Sequence, residues 1–317
     1  MNAQSLLKLP IALIRGALLA LPKTLLGSVS MGLLILNTLF WSMFLFPLAG
    51  VKLISRNQAM RDKVNAVLNE IGLNWIACNN ANLSITKKIT WDIRGLEGVA
   101  PRGWYLVISN HQTWVDILIL QKALHRKIPF LKFFLKQELI KVPVMGPAWW
   151  ALEFPFMKRY SPEFLKKNPH LKGKDIEITR KACERFKRMP ISVMNFVEGT
   201  RFTKAKHEKQ KSPFNNLLRP KAGGISFVLS AMGDQLSHII NVTIIYPQGP
   251  KTFWDFLCSK ECDVVFRVDA IPITPDLIGD YSNDPGFRDR FQEWLNKIWS
   301  EKDGLIDSFF RDKRRAA

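Results

Sequence analysis

The chain opens with an apolar stretch and becomes amphipathic further on. From Thr24 to Val51, 28 residues carry no charged side chain and are rich in Leu, Phe, Met and Trp. A helix needs about 20 apolar residues to cross a bilayer core, so this stretch is long enough. Pro47 near its end predicts a kink or a turn. Before it, Leu9–Leu21 is a shorter apolar run broken by Arg15, the pattern of an interfacial helix. A cleaved signal peptide would show an apolar region of about 7–15 residues and a small-residue cleavage site, and neither is present. A buried core helix is the other alternative. Lys8, Arg15 and Lys23 precede the long run, and Lys52, Arg56, Arg61 and Lys63 follow it. Both flanks are basic, which a re-entrant hairpin with both ends on the cytoplasmic side would satisfy. Residues 1–56 therefore read as a membrane-associated segment, a span or a re-entrant hairpin, and residues 57–317 as a separate domain.

Beyond that segment, strand-like and helix-like patterns alternate. Thr90–Arg94, Trp104–Ser109, Ile191–Val197, His238–Tyr246 and Asp263–Val268 have the short apolar runs of strands. Trp114–Leu124, Asp175–Arg188, Gly224–Met232 and Phe287–Ser300 have helical spacing. Lys204–Pro220 is polar, basic and without glycine, and is expected to be a loop that moves over the site. The alternation predicts an α/β domain with helices covering a sheet.

Charge sharpens this picture. The chain has 46 Lys and Arg against 27 Asp and Glu, a net charge of +19. Gln121–Arg188 holds 17 of the bases and six of the acids, and Arg201–Lys221 holds seven and one. The excess therefore lies in the middle of the chain, where it points to an anionic partner: a membrane surface, a phosphorylated substrate or nucleic acid. With 47% hydrophobic residues the chain is too apolar to be disordered.

Three clusters carry candidate chemistry. Trp104–Ser109 runs into Asn110-His111-Gln112-Thr113-Trp114-Val115-Asp116. Five residues turn a regular helix by about 500°, so His111 and Asp116 can meet only if His111 precedes the helix and Asp116 lies in its first turns. Asp116 would then fix the imidazole tautomer and leave the other ring nitrogen as a general base. Thr113-x-x-Asp116 is equally close to a helix capping box, which would make Asp116 structural. Phe196-Val197-Glu198-Gly199-Thr200-Arg201 ends another strand. Gly199 permits a tight turn there, and Arg201 can grip a phosphate through two N–H bonds. Lys158 and Arg159 end a third run, behind Trp149 and Trp150.

Several chemistries are not signalled. There is no G-x-S-x-G elbow and no G-x-x-x-x-G-K-[ST] phosphate loop. The four cysteines lack C-x-x-C spacing and the five histidines are scattered, so no metal site is expected. The cysteines read as buried free thiols.

Together the motifs resemble the glycerolipid acyltransferase family, the 1-acylglycerol-3-phosphate acyltransferases and their relatives. The resemblance spans about Trp91 to Pro247 and rests on four ordered blocks: Asn110-His111-Gln112-Thr113-x-x-Asp116, Met157-Lys158-Arg159, Phe196–Arg201, and Ile244-Ile245-Tyr246-Pro247. Gln112 replaces a frequent Arg, Lys158 a frequent Asp and Val197 the usual Pro. These departures leave the acceptor headgroup open.

The resemblance implies an α/β domain with a mixed sheet covered by helices, preceded by N-terminal membrane helices. It implies His111 and Asp116 as catalytic residues. Arg159, Glu198, Gly199, Thr200 and Arg201 would form the acceptor side, supported by Asn110, Thr113, Lys158 and Pro247. A fatty acyl group would pass from acyl-CoA or acyl carrier protein to a lysophospholipid hydroxyl. The expected acceptor is 1-acyl-sn-glycerol-3-phosphate, with lysophosphatidylglycerol or lysocardiolipin as alternatives. No cofactor, metal or nucleic acid is implied, and the expected place is the cytoplasmic side of a bacterial inner membrane. A non-catalytic, membrane-tethered basic module for anionic lipid or nucleic acid is the remaining alternative.

Overall fold

A computed structural model describes residues 3–157 and 174–315. Lys158 and Arg159 lie outside the described residues.

Six strands form one sheet: β1 (Lys88–Arg94), β2 (Tyr105–Ser109), β3 (Leu131–Phe133), β6 (Ser192–Phe196), β7 (His238–Ile245) and β8 (Glu261–Pro272). Their order is β1-β8-β7-β2-β6-β3. Only the β7/β8 pair is antiparallel, so the sheet is mixed. A second, two-stranded sheet pairs β4 (Leu135–Lys136) with β5 (Phe156–Met157).

Strand β2 is buried along its whole length, as expected of a central parallel strand covered on both faces. Its residues alternate between two cores. Tyr105 and Val107 join Met194, Ile240 and Phe266 on one side. Leu106 and Ile108 join Val193, Ile239 and Trp299 on the other. The first side is covered by α2 (Lys23–Ile54), α3 (Gln58–Thr86), α4 (Val115–Leu124), α5 (Met145–Ala151) and α9 (Phe253–Cys258). The second is covered by α6 (Lys174–Phe186), α8 (Gly223–Met232) and α10 (Pro285–Arg315).

The N-terminal helices depart most from the expectation. After α1 (Ala3–Ala20), helix α2 runs unbroken through Pro47. It is followed by α3, whose start is capped by Asn57 Oδ1 accepting from the Ala59 and Met60 amides. The two pair antiparallel through polar contacts. Asn37 donates to Asn79 Oδ1 at 2.7 Å and to the Trp75 carbonyl at 2.9 Å. Trp75 Nε1 donates to Thr38 Oγ1, and Asn82 Nδ2 to the Ser30 carbonyl. The helical unit therefore continues past residue 56 to Thr86. Helix α3 is hidden in the sequence because its buried stripe contains Gly72, Asn79, Asn82 and Thr86 among the apolar residues.

Both ends of α2 are seated on the rest of the domain. Near its start, a Cβ at Gly27 would lie 2.4 Å from Cys258 Sγ on α9. Near its end, Lys52 Nζ pairs with Glu153 Oε1 at 2.7 Å and donates to the Ala151 carbonyl. Residues between these points, among them Ile35, Leu36, Leu39, Phe40, Met43 and Phe44, leave large apolar side chains exposed.

Three further expectations are corrected. Lys204–Pro220 is not a plain loop. It begins with α7 (Lys204–Gln210), capped by Thr203, and its later part is bonded to α10. There the Asp303 carboxylate accepts from the Asn215 and Asn216 amides at 2.7 and 2.8 Å. The Asn215 and Asn216 side chains, which read as solvated, donate to Asp307 on the same helix. Strand β8 is twice as long as the apolar run Asp263–Val268, because pairing with β7 carries it to Pro272. Cys183 and Cys262 are buried, Cys258 is partly exposed and Cys78 is exposed; all four are free thiols.

Candidate active site

Strands β2, β6 and β7 are parallel neighbours, so their carboxyl ends meet on one edge of the sheet. Beyond Ser109 come Asn110 and His111, beyond Phe196 come Glu198–Arg201, and beyond Ile245 come Tyr246 and Pro247. Residues far apart in sequence are brought together there by topology.

Asn110 fixes the exit from β2. Its Nδ2 donates to the Ile244 carbonyl and its Oδ1 accepts from the Ile244 amide, both at 2.9 Å. Gln112 Nε2 donates to the same carbonyl at 2.8 Å, and Thr113 Oγ1 to the Lys251 carbonyl at 2.6 Å. The loop carrying His111 is thus tied to β7 and to the segment after it.

His111 stands outside α4, and Asp116 is its second residue. His111 Nδ1 lies 2.9 Å from Asp116 Oδ2. The same oxygen accepts from the Gln112 amide at 2.6 Å and the Thr113 amide at 3.0 Å. Asp116 is completely buried. It therefore does what both sequence alternatives asked: it holds the first turn and it orients the imidazole. The Thr113 hydroxyl donates to the Lys251 carbonyl and also accepts from the Val115 amide at 3.4 Å. The imidazole stacks on Phe196, with centroids 3.8 Å apart and planes 13° apart. With Nδ1 turned to Asp116, Nε2 is the nitrogen left for chemistry.

A residue that sequence reasoning left without a role completes the arrangement. Tyr246 donates its hydroxyl to Asp116 Oδ1 at 2.7 Å. Burial, together with the charge of Asp116, pushes the phenol well above its ordinary value and keeps it a donor. Its only sequence signal was its place in the Ile244–Pro247 block.

The expected acceptor-side residues divide. Gly199, Thr200 and Arg201 line the same cavity as His111. Gly199 adopts φ +69°, a turn that favours glycine. The Arg201 guanidinium lies over the Trp114 ring, 4.8 Å from its centroid. Lys206 Nζ donates to Thr200 Oγ1 at 2.8 Å and to the Arg201 carbonyl at 2.9 Å, which ties this turn to α7. Glu198 is a correction to the expected substrate-binding set. It is 1% exposed and does not line the cavity. Its Oε1 accepts from the His111 amide and its Oε2 from the Leu218 amide, both at 3.3 Å. The Pro247 carbonyl accepts from Lys313 Nζ on α10 at 2.8 Å.

The cavity has a volume of about 410 Å³. His111, Trp114 and Gly199–Arg201 surround its polar end. The remainder is mostly apolar, walled by Trp41 and Leu45 of α2, Trp75 of α3, and Phe130, Phe133 and Phe154, with Thr38, Ser42, Gln121, Lys136 and Asn195 also in the lining. Helix α2 is thus part of the cavity wall as well as the most apolar surface of the molecule. Among the described residues, no group of three or more His, Cys, Asp or Glu could hold a metal ion.

This fold and this constellation define a class of protein. Residues 91–247, just under half of the chain, match the family described as Acyltransferase, so this part of the chain is a domain of the glycerolipid acyltransferase family. Among curated proteins it is 26% identical over 251 residues to the 1-acyl-sn-glycerol-3-phosphate acyltransferase gamma of Mus musculus, covering 75% of this chain and 60% of that one. It is 24% identical over 254 residues to the 2-acyl-1-lysophosphatidylinositol acyltransferase of Saccharomyces cerevisiae, covering 65% and 61%. The chain thus spans about 60% of the length of these relatives. Its fold is similar to the crystal structure of the 1-acyl-sn-glycerophosphate acyltransferase PlsC of Thermotoga maritima, with a TM-score of 0.53, 17% identity, and coverage of 89% of this chain and 95% of that one.

Proposed function

We propose that this protein is a lysophospholipid O-acyltransferase working at a membrane surface. The observation that carries this is the His111–Asp116 pair opening onto an apolar cavity whose polar end also holds Arg201. His111 Nε2 takes the proton of the acceptor hydroxyl as its oxygen attacks the thioester carbonyl carbon of acyl-CoA or acyl carrier protein. The tetrahedral intermediate collapses, the C–S bond breaks, and the thiolate takes the proton from His111. Asp116 stabilises the imidazolium formed between these steps. The apolar cavity takes an acyl chain, and Arg201 takes the acceptor phosphate. The preferred acceptor is 1-acyl-sn-glycerol-3-phosphate. Gln112 favours testing other headgroups as well: it stands where relatives often carry Arg, and its amide is spent on Ile244.

The same reading places α2 in the plane of the membrane. Gly27 and Lys52 are separated by about 37 Å of helix, more than the roughly 30 Å of a bilayer core. Both ends nevertheless rest on one domain, which cannot lie on both sides of a membrane. The exposed apolar face of α2 would enter one leaflet, beside the cavity it walls. Acyl-CoA and acyl carrier protein are cytoplasmic donors, which favours the cytoplasmic face of a bacterial inner membrane.

The test is thiol release by purified protein in mixed micelles, with palmitoyl-CoA and a panel of lysophospholipids. Transfer to lysophosphatidic acid, abolished in a folded His111→Ala variant, is the expected result. No transfer to any lysolipid, or near wild-type transfer by His111→Ala, would sink the proposal.

A further inference from the structure

Trp114 lies between His111 and Asp116 in the sequence, and the transfer reaction assigns it no step. It is the residue that caps the start of α4, and it lines the cavity with 46% of its surface exposed. What faces its ring is the Arg201 guanidinium, 4.8 Å from the centroid. Arg201 is itself exposed. Among the described residues, its guanidinium joins no ion pair and donates no hydrogen bond. Its N–H donors are therefore open to a ligand, while the ring limits where they point. The main chain behind it is fixed as well. The Phe202 amide donates to the His111 carbonyl at 2.7 Å, and Lys206 Nζ donates to the Arg201 carbonyl at 2.9 Å.

We propose that Trp114 is a positioning residue for the acceptor: its indole face holds the Arg201 guanidinium at a set place relative to His111, so that the acceptor phosphate and the reacting hydroxyl are brought into register together.

The start of α4 thereby serves two ends. Asp116 holds the imidazole, with Nδ1 and Oδ2 2.9 Å apart, and Trp114 holds the guanidinium. Both side chains leave one helical turn, so the span from base to cation is not left to a free arginine. An exposed arginine gives up many rotamers when it grips a phosphate, and one already held against a ring gives up fewer. The hold depends on the π system, because a cation is drawn to the negative face of the ring. An indole attracts it best, a phenyl ring less, and an aliphatic side chain of similar reach lacks the effect. A half-exposed Trp would also suit a lipid surface. Here a guanidinium already occupies its face.

The inference rests on the acyltransferase reading for its assay. The decisive experiment is steady-state kinetics in mixed micelles, with lysophosphatidic acid and palmitoyl-CoA varied in turn. It compares full-length wild type, Trp114→Leu, Trp114→Phe, Arg201→Gln and the Trp114→Leu/Arg201→Gln double variant. For Trp114→Leu, KM for lysophosphatidic acid should rise about five- to thirtyfold. Its kcat and its KM for palmitoyl-CoA should each change by less than about threefold. Trp114→Phe keeps a π face, and its KM for lysophosphatidic acid should fall between those of wild type and Trp114→Leu. The double variant should be no worse in kcat/KM than Arg201→Gln alone, because without the cation the ring has nothing to hold. Partition of Trp114→Leu onto phosphatidylglycerol vesicles should stay within about twofold of wild type.

A wild-type KM for lysophosphatidic acid in Trp114→Leu would overturn the proposal. So would the absence of any recovery in Trp114→Phe, or fully additive losses in the double variant. A KM rise matched by an equal loss of vesicle partition would make Trp114 a lipid contact and overturn it too. Failure of Trp114→Leu to fold would assign the ring to the fold instead of to Arg201, with the same consequence. A wild-type protein without acyl transfer would instead overturn the acyltransferase reading.

Discussion

The Tyr246 hydroxyl donates to Asp116 Oδ1 at 2.7 Å, joining residues 130 positions apart at the buried end of the His111 dyad. A hydrogen bond to a charged group is worth about 1.5–3 kcal/mol. Tyr246→Phe keeps the ring and removes that donor. Its kcat should fall roughly ten- to a hundredfold while KM is little changed. Steady-state kinetics against lysophosphatidic acid checks this, and an undiminished kcat would show that Asp116 does not depend on Tyr246.

The membrane face gives a second prediction. Phe40, Met43 and Phe44 are 52%, 72% and 48% exposed on α2. Replacing all three by Ser should lower partition onto phosphatidylglycerol vesicles about a hundredfold, since each such side chain contributes on the order of 1 kcal/mol or more when half-buried in lipid. The circular dichroism spectrum should be unchanged. In a cysteine-free background, Lys23→Cys and Ser55→Cys should both react with an impermeant maleimide from one side of the membrane. Labelling from opposite sides would replace the in-plane helix with a span.

The Lys52–Glu153 contact gives a third. Burial alone would raise the Glu153 carboxyl. The hydrogen bond and charge of Lys52, aided by Lys132 and Arg185, outweigh this and hold it below the ordinary glutamate value. A lowered carboxyl pKa contributes stability that is present above the unfolded value and is lost as pH falls through the folded one. Removing one partner of a buried pair costs about 3–5 kcal/mol. Glu153→Gln should therefore lower the unfolding midpoint at pH 7 and flatten its decline at acid pH. Parallel wild-type and variant curves across pH would exclude this role.

The fourth concerns the cavity. A Cβ at Gly72 would lie 2.7 Å from Phe130 Cζ. Phe130 is buried and packs edge-on against Phe154, 5.9 Å away, so it has little room to retreat. Gly72→Val should displace the ring into the cavity and shift the preferred acyl-CoA toward shorter chains. An unchanged chain-length profile would show that the acyl chain does not reach this wall.

The elements that read clearly from the sequence are those with strong periodicity. Strands β2, β6 and β7 and helices α4, α6 and α8 lie within a few residues of their predicted positions. Helix α3 was not legible, because its inner face is partly polar and its bonds are made to α2 rather than signalled by apolar spacing. The Lys204–Pro220 segment misled for a similar reason: its Asn215 and Asn216 side chains are bonded to α10.

By itself, the sequence determined the alternation of strands and helices, the apolar N-terminal helix, and the reactive residues at the strand ends. Their spacing set the condition for His111 and Asp116 to meet: His111 had to precede the helix holding Asp116. Only the tertiary structure decided which strand ends meet, and so brought Tyr246 to Asp116 and Glu198 to the His111 amide. It also decided that α2 is fastened at both ends to one domain. Local pattern records which face of an element is buried. It does not record which distant element buries that face, because that contact depends on the order and direction of strands in the sheet.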